Sequence, residues 1–118
     1  MVKNRVEKIQ VLQLSVAYAG EPALKNVNFS IYQNEILGVI GPANSGKTTF
    51  LRTLNRLNDL DPRYQHQGEV LIDGKDIYQK WNVIKLREKV GMVFALPTPL
   101  PISIFENFRI HIVRPRMP

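Results

Sequence analysis

No cysteine occurs in the 118 residues. Disulfides and thiolate metal sites are thereby excluded, and a cytosolic setting is the natural expectation. Long apolar runs are missing too. Hydrophobic residues make up 44% of the chain, yet none of their runs nears the roughly 18 positions of a spanning helix. The start, Met1-Val2-Lys3-Asn4-Arg5, is basic, but no apolar stretch follows it as in a signal peptide. Histidine is scarce: His66 and His111 stand far apart without metal-ligand spacing, and read as surface or half-buried residues. Acid is the scarcer charge, with 10 Asp and Glu against 16 Lys and Arg and a net charge of +6. Such a balance can serve nucleic acid, anionic lipid or phosphorylated ligands. Here the excess is scattered, with Lys3, Arg5 and Lys8 at one end and Arg109, Arg114 and Arg116 at the other. No stripe interleaves with aromatics, so the reading is a solvated surface and no nucleic-acid partner. The remaining composition is ordinary for a globular chain, and the length suits one small domain.

Patterning along the chain predicts alternating strands and helices. Val6 to Val16 reads as a strand whose apolar phase slips once, as a bulge would allow. Tyr18 to Pro22 reads as a turn, and Val27 to Ile31 alternates strictly, as a strand with one wet face does. Ile36 to Ile40 is continuously apolar, which predicts a strand buried on both faces. A helix is expected from Gly46 to Asn58, with Phe50, Leu51, Leu54 and Leu57 inward and Arg52, Asn55 and Arg56 outward. Asp61 to Gln67 reads as a polar linker, and Glu69 to Ile72 as a short strand ending in the Asp73-Gly74 turn. A short helix over Val83–Lys89 and a second buried strand over Val90–Phe94 follow. Pro97, Pro99 and Pro101 mark an extended loop. Ser103 with Glu106 forms a capping-box pattern for a last helix from Ile104, and Arg114 to Pro118 reads as an unpacked tail.

One stretch carries chemistry. Gly41-Pro42-Ala43-Asn44-Ser45-Gly46-Lys47-Thr48 meets every fixed position of G-x-x-x-x-G-K-[ST]. An apolar strand before it and an amphipathic helix after it are the context this phosphate loop requires. Triphosphate oxygens need several donors converging from one side. Small residues let successive backbone N–H groups turn inward as an anion-binding nest. The helix beginning near Gly46 adds the positive end of its dipole. Lys47 should reach the β- and γ-phosphates, and the Thr48 hydroxyl should ligate Mg²⁺. Thr49 completes the candidate set. Val70-Leu71-Ile72-Asp73 imitates a metal-holding strand and aspartate, but Gly74-Lys75 follows, so a hairpin turn is the better reading. Trp81 reads as a packing residue.

The flanking residues resemble the ATP-binding subunit of ABC transporters, most closely the phosphate-importing kind. The similarity runs from about Val6 to Asn107. It is carried by Ala23 to Val27, by Phe50 to Leu60, by Gly68 to Tyr78, by Leu86-Arg87 with Val90 to Phe94, and by Pro97 to Ile104. The resemblance implies an α/β chain with the P-loop NTPase fold of the ABC ATP-binding type. The part present would be the N-terminal one, an antiparallel β subdomain plus the Walker A strand, loop and helix. Residues 1–107 would form a partial ATP-binding domain and 108–118 a divergent tail. Tyr18 falls where the family stacks an aromatic ring on adenine. ATP and Mg²⁺ are the implied ligands. A second ATP-binding subunit, as a homodimer, and two membrane permease subunits are the implied partners. The implied location is cytoplasmic, peripheral on the inner face of the cell membrane.

Two departures qualify the resemblance. The family has a glutamine after the strand ending at Phe94, where it helps bind Mg²⁺ and relays the nucleotide state. This chain has Ala95, whose methyl group can neither ligate nor donate. No Ser-Gly-Gly-Gln signature, no apolar strand ending in Asp-Glu and no switch histidine after one occurs either. The expectation is a truncated subunit with no catalytic residue of its own, binding ATP weakly or not at all and hydrolysing it negligibly. The strands at Ile36–Ile40 and Val90–Phe94 would then lack neighbours. Two other readings stay open. One is a small, unrelated P-loop enzyme, although no Asn-Lys-x-Asp string for guanine occurs. The other is an interaction fragment that contacts permease subunits through Pro97 to Phe108.

Overall fold

A computed structural model describes residues 5–112. Strand β1 (Glu7–Tyr18) turns through Ala19 and Gly20 into β2 (Glu21–Tyr32). Both turn residues are left-handed, with φ 49° and 83°, as a tight two-residue hairpin of matching twist requires. The turn is thus shorter than the sequence implied, and Pro22 lies inside β2. An edge strand tolerates it, because a missing N–H is harmless on a side with no partner. On the other side of β1 lies β3 (Tyr64–Ile72), followed by β4 (Lys75–Asp76). The sheet order is β2-β1-β3-β4, antiparallel throughout.

The phase slip in β1 is a bulge. Val11 and Leu14 are both fully buried although three residues apart. Between them Gln13 takes φ 50°, and its N–H donates to Asn28 Oδ1 at 2.8 Å. Gly68 faces the bulge at φ 91°, where a Cβ would run into the Gln13 carbonyl. The stretch expected as a polar linker is half strand. Tyr64 to Gln67 pairs with Tyr18 to Ser15 on β1. Its polarity is that of an exposed strand end, which propensity alone does not separate from loop.

One face of the sheet buries the core. Val11, Leu14 and Val16 from β1 meet Val70 and Ile72 from β3, joined by Phe50 and Leu54 of α1 (Lys47–Leu54), Ile77, and Leu86 of α2 (Val83–Lys89). Phe50 meets Phe29 of β2 edge-on, with ring centroids 4.9 Å apart. Each such fully buried side chain contributes about 1.5–3 kcal/mol. Helix α1 therefore lies over the sheet by its Phe50 and Leu54 face.

The helix is shorter than its pattern predicted. It ends at Leu54, and a 3-10 turn over Leu57–Leu60 follows. Arg56 is left-handed at φ 59°, held by Asp59 at 2.6 Å and by a bond from its Nη1 to the Ile77 carbonyl. Asn55, expected outside, is buried. From α2, Arg87 reaches back to donate to the carbonyls of Asn55 at 3.2 Å and Arg56 at 3.0 Å. It satisfies acceptors that a helix end leaves without intrahelical partners.

The two continuous apolar runs differ from expectation. Residues 36–40 are not strand, and Ile36 and Ile40 are 98% and 96% exposed. Residues 90–94 are likewise unpaired, with Val93 97% exposed. Among the described residues no strand flanks either run, and a strand buried on both faces needs neighbours for its backbone. The last helix, α3 (Ile104–Ile112), begins as predicted, with Ser103 Oγ accepting from the Glu106 N–H at 3.1 Å. Glu106 itself pairs with Arg109 rather than closing the box. Asn107 bonds to the Leu100, Ile102 and Ser103 carbonyls and fastens the proline-rich loop to α3. The expected tail at Arg114 to Pro118 lies outside the described residues.

Candidate functional site

The glycine loop turns where its sequence demands. Asn44 and Gly46 both adopt left-handed backbone, φ 63° and 94°. At Gly46 an added Cβ would approach Leu24 Cδ2 to 2.7 Å and the Ala23 carbonyl to 2.8 Å. Only glycine lets the loop press this closely on β2. Lys47 folds back over the loop. Its Nζ donates to the Gly41 and Pro42 carbonyls, both at 2.6 Å, and to Ser45 Oγ at 3.2 Å. The ammonium is thus met by neutral oxygens, leaving its charge available to an anion.

Helix α1 starts at Lys47 with no side-chain cap on Gly46 and no acid in its first turn. The N–H groups of the first turn have no intrahelical acceptor and aim outward from the helix end. Ala43 to Thr49 enclose a recess of about 350 Å³. Thr48 is exposed and Thr49 half-buried at its edge. Unclaimed donors, a fixed ammonium, a hydroxyl and no carboxylate in the first turn together suit a triphosphate with Mg²⁺. Ala43 to Thr49 line this recess, and Gly41 and Pro42 lie beside it with their carbonyls on Lys47 Nζ.

Tyr18 stands at the end of β1, half-buried, with its ring 6.0 Å from that of Tyr64. It lines the same open cleft as Thr48, Thr49 and Arg52, about 760 Å³ in volume, and Phe94 lies on its wall. The Tyr18 hydroxyl donates to Asn58 Oδ1 at 2.7 Å. Asp61 and Arg63 close the rim. Arg63 binds Asp61 through its backbone N–H and its guanidinium, with a 2.8 Å ion pair, and lowers the carboxyl pKa to about 2.

The remaining candidates fall elsewhere. Asp73 lies in a left-handed turn with Gly74 and is bound by Lys8 at 2.7 Å and Lys89 at 3.6 Å. These ammonium groups hold its pKa down. It is a hairpin residue, as argued from its neighbours. Trp81 packs on the core and donates from Nε1 to the Ile72 carbonyl at 3.1 Å. His66 stacks on Tyr78 with ring centroids 3.8 Å apart, and the desolvation keeps its pKa below the ordinary value. The side chain of His111 lies outside the described part. Ala95 is exposed. Sequence reasoning gave no separate role to Asn58 or Arg87, the two side chains that tie the far end of α1 to the rest. The available signal was an amide in a leucine-rich stretch, which by itself points equally to a turn.

A glycine loop entering an open helix start, with a lysine and a hydroxyl residue at that start, is the arrangement of P-loop nucleotide-binding domains. Residues 24–116 match the family model described as ABC transporter. The match spans most of the chain, and the chain belongs to that family as an ATP-binding subunit with the P-loop NTPase fold. Such domains bind ATP, typically with Mg²⁺, and typically work with permease subunits. Tyr18 lies before the matched stretch. No helix among the described residues is long and apolar enough to cross a membrane.

Proposed function

We propose that this chain is the nucleotide-holding part of a phosphate-type ABC importer subunit, with Gly41 to Thr48 as its triphosphate cradle. The observation that carries the reading is the open start of α1, where Gly46 leaves no room for a cap and Lys47 is poised over the loop. The backbone N–H groups of residues 44–48 would hold phosphate oxygens, and Lys47 would exchange its carbonyl partners for the outer phosphates. Thr48 would supply a hydroxyl to Mg²⁺, Thr49 would line the recess, and Tyr18 would give the base a flat apolar face. Bound Mg²⁺ would neutralise phosphate charge. These residues' share is to bind and orient.

Hydrolysis asks for a positioned water and charge stabilisation beyond the cradle. None of the residues assigned here supplies a water-orienting group, and the methyl of Ala95 cannot. Weak ATP binding with negligible turnover is the expected behaviour. Phosphate as the solute is supported by the resemblance of Phe50 to Leu60 and Gly68 to Tyr78 to the phosphate-importing branch. A second ATP-binding subunit and two permease subunits are the proposed partners, met at the inner face of the membrane. The exposed Ile104, Phe105 and Phe108 of α3 offer an apolar contact for a permease. The test is equilibrium binding of MgATP and MgGTP to the purified chain, with Lys47→Ala as control. Saturable ATP binding that the variant loses supports the reading, and equal binding by chain and variant overturns it.

A further inference from the structure

Asn58 is 3% exposed, and each of its side-chain atoms is engaged. Its Oδ1 accepts the Tyr18 hydroxyl proton at 2.7 Å. Its Nδ2 donates to the Thr49 carbonyl at 3.0 Å and to Thr53 Oγ1 at 2.9 Å. Thr53 is itself fully buried and donates to the same Thr49 carbonyl at 2.8 Å. One amide therefore joins the last residue of β1 to the first turn of the phosphate-binding helix. Tyr18 and Asn58 are 40 residues apart in sequence. A buried amide with a partner missing is costly, so the group is retained in one geometry.

We infer that Asn58 is a positioning residue for nucleotide recognition: it fixes the Tyr18 ring relative to the start of α1, so that base and triphosphate are read at a set distance. The inference rests on the proposed role of Tyr18 as the base platform. A ring is held in plane by two things, packing on one face and a hydroxyl bond at its tip. Tyr64 provides a neighbour for the ring at 6.0 Å, and Asn58 provides the bond. Without that bond the ring can pivot about its own χ angles, and the base loses a preordered face while the phosphates keep theirs. Asn58 lies in the wall of the same cleft, but its amide atoms are taken by protein groups, and its effect passes through Tyr18.

The test compares two probes on the purified full chain, MgATP and inorganic tripolyphosphate, which has no base. Tyr18→Phe keeps the ring and removes the bond. It should weaken ATP binding about 3- to 10-fold, the range of one net hydrogen bond, and leave tripolyphosphate binding unchanged. Asn58→Ala removes that bond together with those to Thr49 and Thr53, so it should weaken ATP at least as much, and adding Tyr18→Phe to it should add nothing, because the Tyr18–Asn58 bond is already gone. Tyr18→Ala should lose more than either. If Asn58→Ala fails to fold, Tyr18→Phe decides alone. An ATP loss in Tyr18→Ala with none in Tyr18→Phe overturns the role of Asn58. Equal losses for both probes in Tyr18→Phe also overturn it, since the bond would then serve only the fold. ATP binding unaffected by Tyr18→Ala removes the base platform, and this inference with it, while the phosphate loop stands. A wild-type chain that binds neither probe removes the proposed function itself.

Discussion

Helices α1 and α2 are nearly equal in length, eight and seven residues, and begin in opposite ways. Asn82 closes α2, its Oδ1 accepting from the N–H groups of Ile84 at 2.9 Å and Lys85 at 3.3 Å. Gly46 opens α1, left-handed and without a side chain to offer. The self-capped helix has two of its first donors satisfied by Asn82, and Leu86 packs in the core. The uncapped one leaves its first donors without a side-chain partner, while Lys47 is held by oxygens of its own loop. A glycine in place of a side-chain cap costs roughly a few tenths of a kcal/mol, which a bound anion can offset. On the proposed reading, the triphosphate site lies where a local capping rule is unmet.

That contrast can be broken most forcefully at the open end. Lys47→Ala should reduce MgATP affinity by roughly 10- to 100-fold, the range for a charged hydrogen bond, with little change in melting temperature. Gly46→Ala should both weaken ATP binding and destabilise the chain. An L side chain at φ 94° costs about 1–2 kcal/mol, and its Cβ would crowd Leu24 and the Ala23 carbonyl. At the closed end, Asn82→Ala should lower stability by about 1 kcal/mol in urea unfolding and leave ATP affinity untouched. An Asn82→Ala variant that loses ATP would end the distinction between the two helices.

The smallest effect is at the cleft rim. The Asp61 carboxyl is lowered to about 2 by its bonds from Arg63. A depressed carboxyl pKa contributes stability above its ordinary value near 3.8, and the contribution is lost as pH falls through about 2. An NMR titration of the Asp61 side chain should therefore find it still charged at pH 3, and Arg63→Gln should raise its midpoint toward the ordinary value.

Much of this was legible in the chain. The loop, the helix after it and the bulge in β1 follow from Gly41 to Thr48 and from the slip between Val11 and Leu14. Local chemistry fixes those features. Two kinds of feature escaped it. Ile36 to Ile40 and Val90 to Phe94 have the pattern of buried strands, but a pattern states a preference for neighbours and cannot supply them. Just past the end of α1 at Leu54, the carbonyls of Asn55 and Arg56 are met by Arg87, whose reach no periodicity records. Asn58 escaped for the same reason, because its partners Tyr18 and Thr49 come together only when β1 and α1 pack.

The central claim is that the donors at the start of α1 await a triphosphate and those of α2 do not. Backbone amide chemical shifts of the full chain, followed during MgATP titration, read both helices at once. The account predicts large, saturable shifts at Gly46, Lys47, Thr48 and Thr49, with Ile84 and Lys85 unmoved. No shift at residues 46–49 under saturating MgATP, or equal shifts at the two helix starts, would contradict it.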